Sequence, residues 1–243
     1  MTGDDHDADP SSDAADDRNG DGNGDGTDLG TLCDRYAQLY TGLVTDALDE
    51  LGYHDRTLDP TVGPLTPGTS TAGIAYPAVG DTDHRVDPEA QMRRFLTMLG
   101  DVPEHGVLTI AANGDASAQV GELTTTALAE QGARGVVVDG GTRDCPAIVD
   151  QGFPTFTRYR TPADSIQRWQ LREWGEPAFV GGVRVEPGDV VVGDADGVAV
   201  VPREVREEVL DRAEAMAADE DAVRAAILEG ATPLEAYERH GTF

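Results

Sequence analysis

Residues 113–144 read NGDASAQVGELTTTALAEQGARGVVVDGGTRD. Near its end, Gly135-Val-Val-Val-Asp-Gly140 is a short continuous apolar run, the mark of a strand buried on both faces. Asp139-Gly140-Gly141 is expected to end that strand in a turn. Upstream, a helix is expected from near Gly121 to Gln131, with Gly132 as its C-terminal stop. Loops just past the carboxyl ends of buried strands are where α/β proteins place ligands. Arg143 and Asp144 are therefore expected together at the mouth of a crevice.

Working outward, residues 31–51 follow a helical period through Leu32, Tyr36, Leu39 and Tyr40, then Val44, Ala47, Leu48 and Leu51, with Gly42 as a point where the helix splits. Thr71–Pro77 reads as a short strand ended by a turn at Gly80-Asp81. Pro88–Leu99 reads as a helix with Asp87 as N-cap and Pro88 in its first position. Gly106–Ala112 is a buried strand, and Phe153–Phe156 a further one. Residues 160–176 read as polar loop whose Trp169 and Trp174 serve packing. Val183–Val201 alternates strands and turns as a β-meander. A long acidic helix follows Pro202 to about Leu228, with Val205, Val209, Met216, Val223 and Ile227 on one face, and Pro233–Arg239 is a last short helix.

Composition narrows the function classes. The first 30 residues hold ten Asp, six Gly and one Arg, which points to a disordered acidic tail. They lack the basic and apolar regions of a secretory signal. Residues 31–243 are expected to form one domain of mixed parallel and antiparallel β-structure with helices. Beyond the tail, 36 acids face 17 Arg, a net of −19. A broad basic face for nucleic acid is thus not expected, and no apolar run is long enough for a membrane span. Such an acidic excess resembles the surface of a protein from a high-salt cytoplasm, where screening makes self-repulsion tolerable. All 18 basic residues are Arg. Without Lys there is no Schiff base, no P-loop phosphate site and no pyridoxal-phosphate anchor. Cys33 and Cys145 make no disulfide framework, and Cys145 is expected to be a small buried thiol.

The chemistry that remains is that of a small acid. The helix start at Gly121 offers free amides and a positive dipole end. Arg143 is a planar fork for a carboxylate. Asp144 and Glu122 are hard oxygen donors suited to Mg²⁺ or Mn²⁺, and the five His show no zinc spacing. A cation, an Arg and helix amides around one small acid would stabilise an enolate.

Several short motifs stand in one order: Asn113-Gly-Asp115, Gly121-Glu-Leu123, Ala127, Gly132-x-x-Gly135, Asp139-Gly140-x-x-Arg143-Asp144 and Gly152-Phe-Pro154. Thr45-Asp46-Ala47-Leu48, Gly181-Gly-Val-x-Val-x-Pro187-Gly-Asp189, Val192-Gly-Asp-x-Asp196-Gly-Val198, Val201-Pro202 and Glu220-x-x-x-Arg224 join them. Over residues 31–230 the chain resembles the regulator-of-ribonuclease-E-like family, which includes the 4-hydroxy-4-methyl-2-oxoglutarate aldolases that also decarboxylate oxaloacetate to pyruvate. The resemblance implies a three-layer β/β/α swivelling-domain-like fold, assembled as a homotrimer or hexamer with the site between subunits. It implies that Arg143 binds a small 2-oxo acid, that Asp144 ligates the divalent metal, and that Glu122 contacts the metal through water. Gly121, Leu123 and Thr124 match the loop whose amides hold the substrate carboxylate. Glu220 matches an acid delivered to the metal from the neighbouring subunit; as an ordinary helical residue it would instead pair with Arg224. The activity implied is a metal-dependent aldolase or oxo-acid lyase with catalytic Arg143, Asp144 and Glu122. The competing reading is a non-catalytic regulator that binds a ribonuclease. A methyltransferase is disfavoured, because no strand-Gly-x-Gly loop for a methyl-donor nucleotide is present.

The charge excess generates the first prediction. The Debye length grows from ~3 Å at 1 M salt to ~30 Å at 0.01 M. Dialysis into dilute buffer is expected to unfold or dissociate the protein, which circular dichroism and size-exclusion chromatography will register.

Overall fold

The strand expected at the heart of the sequence lies at the centre of a nine-stranded sheet. A computed structural model of the chain describes residues 28–85, 87–114 and 117–243. The expected tail falls outside the described residues up to residue 27, as does Asp115 of the Asn-Gly-Asp motif. The helices are α1 (Leu29–Tyr36), α2 (Thr41–Glu50), α3 (Pro88–Gly100), α4 (Glu122–Glu130), α5 (Cys145–Gln151), α6 (Arg206–Leu228) and α7 (Pro233–His240). The strands are β1 (Gly63–Pro64), β2 (Thr71–Thr82), β3 (Gly106–Ala111), β4 (Ala118–Val120), β5 (Gly135–Thr142), β6 (Thr155–Arg160), β7 (Trp169–Trp174), β8 (Ala178–Val180), β9 (Val183–Val185), β10 (Val190–Asp194) and β11 (Gly197–Val201).

The main sheet runs β1-β6-β5-β3-β2-β10-β11, with β4 added beside β5 and β7 beside β2. β2, β3, β5 and β6 are mutually parallel, while β1, β7, β10 and β11 pair antiparallel. The fold is therefore mixed α/β with parallel and antiparallel pairing, as expected. Strand alternation divides the core. Val107, Val137, Phe156, Val191 and Val200 pack with the separate β8–β9 hairpin on one face. Leu108, Ile110, Val136 and Val138 pack with Phe95, Met98 and Leu128 of α3 and α4 on the other. Hairpin, sheet and helices are the β/β/α layers. α1, α2 and α6 cover the β10–β11 end, burying Tyr36, Leu48, Val209 and Leu210.

Five expectations change. The first helix begins at Leu29, ahead of the boundary drawn after residue 30, because Asp28 caps it by accepting from the Thr31 amide at 3.2 Å. The helical run over 31–51 is two helices, broken at residues 37–40 rather than at Gly42, which lies inside α2. β2 continues through Gly80 to Thr82, because the Trp169 indole occupies the space a Gly80 side chain would need. Residues 169–174 form β7 rather than loop, with Trp169 buried and its indole N–H donating to the Ala112 carbonyl at 2.7 Å. The meander is split: β9 pairs with β8, and only β10–β11 joins the main sheet.

A further correction decides the site. β5 does not turn at Asp139-Gly140-Gly141 but continues to Thr142. The glycines serve close packing. A Cβ on Gly141 would lie 2.5 Å from the Ser117 carbonyl oxygen and 2.6 Å from the Tyr159 ring. One on Gly140 would lie 2.6 Å from both Ala112 Cβ and Gln119 Oε1. The missing side chains let β4 draw up against β5, and the Gln119 side-chain oxygen accepts the Gly141 amide at 3.0 Å.

Gly141→Ala meets backbone, which cannot swing away. Overpacking of this kind costs ~1–3 kcal/mol, and at ~2–4 °C per kcal/mol for a chain of this size the melting temperature is expected to fall by about 2–12 °C in a high-salt thermal scan.

Candidate active site

β4 and β5 run parallel and end side by side, Ala118 against Gly141 and Val120 against Thr142. The Arg143 amide donates to the Val120 carbonyl at 3.0 Å. Just beyond, each chain turns into a helix: Gly121 is the N-cap of α4 and Asp144 that of α5. Asp144 holds φ 58° and ψ 27°, the left-handed region that Asp tolerates better than most side chains. Its Oδ2 lies 3.3 Å from the Glu122 amide and 3.5 Å from Arg143 Nε. Gly121 makes the room, since a Cβ there would sit 2.7 Å from Asp144 Oδ2. At φ −143° and ψ −178° its backbone suits any residue, so the glycine is needed for space alone.

Arg143 has a second carboxylate partner. Its Nη1 pairs with Asp164 Oδ2 at 3.0 Å. Asp164 is placed by a bridge to Ala118, and its other oxygen accepts the Ile166 amide at 2.7 Å. Partly exposed ion pairs contribute little stability; here they fix where the guanidinium points. Arg143, Asp144 and Asp164 line a cleft of about 200 Å³ with Gly121, Leu123 and Thr124. Thr124 is buried and Leu123 stands on the lip, 79% exposed. The Leu123 and Thr124 amides belong to the first turn of α4, which has no carbonyl one turn back to accept them. The cleft thus combines a cationic fork, two carboxylates and helix-start amides, groups of the kind that recognise small anions.

Within one chain, the structure brings together Arg143, Asp144, Gly121, Leu123 and Thr124 of the expected residues. Glu122 meets Asp144 through its amide; its carboxylate instead accepts from Thr126 Oγ1 and Gln151 Nε2, each at 3.0 Å. Glu220 lies on α6, where it accepts the Tyr40 hydroxyl and sits 3.8 Å from Arg224. Burial, and then that hydrogen bond, push the Tyr40 hydroxyl up to about 12. Glu220 lines a different groove with Leu228 and Phe243. Cys145 is half-buried rather than buried, because it opens α5 at the edge of a groove shared with Arg143 and Arg160.

No cluster of three or more His, Cys, Asp or Glu able to hold a metal occurs among the described residues. Mg²⁺ is commonly held by one or two carboxylates, with waters and substrate oxygens filling the rest, and Asp144 fits that pattern as a single hard donor beside an anion site. Sequence reasoning missed Asp164, which reaches Arg143 across 21 positions. It also missed Met92, Phe95, Leu96 and Leu99 of α3, which wall the cleft. Their signal was present in the sequence as an apolar stripe, Met92, Phe95, Leu96 and Leu99, at helical spacing.

The family model described as RraA-like, Aldolase/RraA, matches residues 41–200. A Halalkalibacterium halodurans protein named "Putative 4-hydroxy-4-methyl-2-oxoglutarate aldolase" is 31% identical over 205 residues, 84% of this chain and 91% of its own length. The crystal structure of Streptomyces coelicolor RraAS2, an unusual member of the RNase ES inhibitor RraA protein family, matches with TM-score 0.73 at 28% identity, over 81% of this chain and 98% of that one. A structure described as novel cellulases from gut-associated microbes matches with TM-score 0.77 at 29% identity, over 83% and 90%.

Gly121→Ala separates site from fold. Its Cβ meets the tip of a flexible carboxylate rather than backbone. The melting temperature is expected to change by less than about 3 °C, in keeping with ~0.5 kcal/mol for a substitution outside the core. On the expectation that Asp144 ligates a divalent ion, Mg²⁺ affinity read by titration calorimetry should fall at least tenfold as Asp144 is displaced.

Proposed function

Because the chain belongs to the RraA-like family, which holds both aldolases and ribonuclease inhibitors, we propose that it is an oxo-acid lyase that breaks a C–C bond of a 4-hydroxy-2-oxo acid and releases pyruvate. The observation that carries this reading is Arg143, oriented by Asp144 and Asp164 over the first-turn amides of α4 inside a cleft. A regulator acting through surface contact has no use for an inward-facing acid site. A glycan-cleaving activity fits less well, because both carboxylates lining this small cleft among the described residues are engaged with Arg143 and glycan cleavage needs a free pair.

In this reading the substrate C1 carboxylate lies against Arg143 and the Leu123 and Thr124 amides. Asp144 would hold Mg²⁺ or Mn²⁺, with Glu122 through water and Glu220 of a neighbouring copy as further candidates in a trimer or hexamer. The cation supplies Lewis acidity toward the 2-oxo oxygen when bound. A cleft carboxylate, or water it orients, takes the C4 hydroxyl proton. The C3–C4 bond then breaks: C4 becomes a carbonyl, and the bonding pair passes through C3 and C2 to the oxygen as an enolate. Protonation at C3 gives pyruvate. Loss of CO₂ from oxaloacetate produces the same enolate. Arg143 and the amides offset its charge throughout. With no Lys in the chain, the Schiff-base route to this bond cleavage has no amine.

Arg143→Lys keeps the charge but loses the fork. Charged hydrogen bonds of this kind are worth ~1.5–3 kcal/mol, so kcat/KM is expected to fall about 10- to 150-fold with metal affinity little altered. Asp144→Ala is expected to abolish both Mg²⁺ binding and pyruvate release while circular dichroism stays native. Chelation should stop turnover of the native chain, and Mg²⁺ or Mn²⁺ should restore it. Full activity in excess chelator, or from Asp144→Ala, overturns the metal role, whereas no pyruvate release from any such substrate leaves the regulator reading as the better one.

A further inference from the structure

Residues 161–168 join β6 to β7, and their path passes the end of β5. β4 and β6 flank β5 at Gly141 and Thr142. The Thr161 amide donates to the Thr142 carbonyl at 3.1 Å, and the Ala118 amide of β4 donates to the Ala163 carbonyl at 2.8 Å. The segment is thus a strap from one flanking strand to the other, and Arg143 leaves β5 beside it.

Asp164 is the residue of the strap that meets Arg143, Oδ2 to Nη1 at 3.0 Å. It is pinned from three directions. Its backbone bridges to Ala118. Its Oδ1 accepts the Ile166 amide at 2.7 Å. Its carbonyl accepts from Arg168 Nη1 at 2.9 Å. The Arg168 and Trp169 amides both donate to the Ser165 carbonyl, at 2.9 and 2.8 Å. Trp169 is buried with its indole bonded to the Ala112 carbonyl, so the far end of the strap is fixed in the core.

This pinning decides between two uses of Asp164. A built-in competitor for Arg143 would have to leave when an anionic ligand arrives. A carboxylate held by a strand bridge, a turn amide and a second arginine stays. By charge alone it weakens an anion site, and an ion pair this exposed contributes little stability. What it supplies is direction. Arginine has one of the largest side-chain freedoms to lose, and a group misplaced by ~1 Å at a reacting centre can cost ~100-fold in rate.

We propose that Asp164 and Arg168 are positioning residues: Arg168 seats the strap, and through it Asp164 holds the Arg143 guanidinium in line with the cleft. All three residues come from one chain, whatever a neighbouring copy adds to the site. The effect on turnover rests on the lyase reading; the effect on anion binding does not.

The test is a double-mutant cycle on the full chain, in high salt with Mg²⁺. It reads pyruvate release from 4-hydroxy-4-methyl-2-oxoglutarate and pyruvate binding by titration calorimetry. Asp164→Ala is expected to lower kcat/KM at least ~10-fold, the size of one hydrogen bond to a charged group. In the Arg143→Lys chain, which has no fork to aim, the same change is expected to cost at least about threefold less. A loss that came through the fold would be equal in both chains. Arg168→Met keeps the apolar stem and loses the donor. It is expected to show the same coupling and to cost nothing further in the Asp164→Ala chain, and it carries the cycle should Asp164→Ala disturb folding. Unchanged or improved activity of Asp164→Ala overturns the proposal, as do equal losses in the two backgrounds. Native activity from Arg168→Met overturns the relay through the strap. Pyruvate binding tells the two readings apart. Turnover without coupling sinks the positioning role and leaves the lyase standing. Pyruvate binding with no release from the substrate sinks the lyase, and the cycle is then read on the pyruvate Kd with the same expected coupling. Neither binding nor release overturns both.

Discussion

Everything at the site depends on how closely β4 approaches β5. Two successive glycines, Gly140 and Gly141, remove the side chains that would hold the strands apart. Gln119 fills part of the space and binds the Gly141 amide. Val120 then accepts the Arg143 amide. From these contacts the two helix starts that follow, Gly121-Glu122 and Asp144-Cys145, are set face to face. The left-handed turn at Asp144 and the missing Cβ at Gly121 finish the arrangement. Gly121, Gly140, Gly141, Gln119 and Val120 offer no acid, base or nucleophile of their own. They are packing devices, and together they fix the separation of an arginine, a carboxylate and a helix dipole. Strained or crowded backbone of this sort is tolerated where the surroundings over-determine it, and here β5 is buried on both faces.

The electrostatic setting sharpens what the cleft must do. A chain with a formal charge of −28 repels anions at long range, and only salt shortens that reach. An anionic substrate of the proposed kind would therefore depend on short-range contacts, the Arg143 fork and the amides of α4. Asp164 adds a further negative charge at the site. It lowers the net attraction for an anion but removes the rotational freedom of Arg143, so orientation is gained at the expense of charge.

The sequence carried the helices and buried strands well, because hydrophobic period and caps are local signals. Asp87 and Pro88 announced α3, and the pair indeed caps it. The misplaced ends of β2 and β5 share one cause, the double meaning of glycine. Gly80, Gly140 and Gly141 were read as turns, yet each sits inside a strand and makes room for a neighbour from elsewhere in the chain: Trp169, Gln119 and Ser117. Composition cannot distinguish a glycine that bends from a glycine that yields space. β7 was hidden for a related reason: Trp169 and Leu171 alternate with Gln170 and Arg172, and the polar partners made the segment look like loop. Of the site, Arg143, Asp144 and the α4 start were readable as a contiguous motif. Asp164 was not, because its pairing with Arg143 exists only after residues 21 positions apart are folded together.

Glu122 shows why residue type and residue function separate at a helix start. As a side chain in the first turn it complements the helix dipole, and its carboxylate is tied to Thr126 and Gln151 on the flank facing α5. As backbone it presents an amide to Asp144. The second contribution does not depend on the side chain at all. It follows that the position can exchange acids, or even lose its acid, without disturbing the turn that seats Asp144, so long as Gly121 before it stays free of a side chain. The constraint on this segment therefore falls on the glycine, whose missing Cβ is the one feature no neighbour can replace.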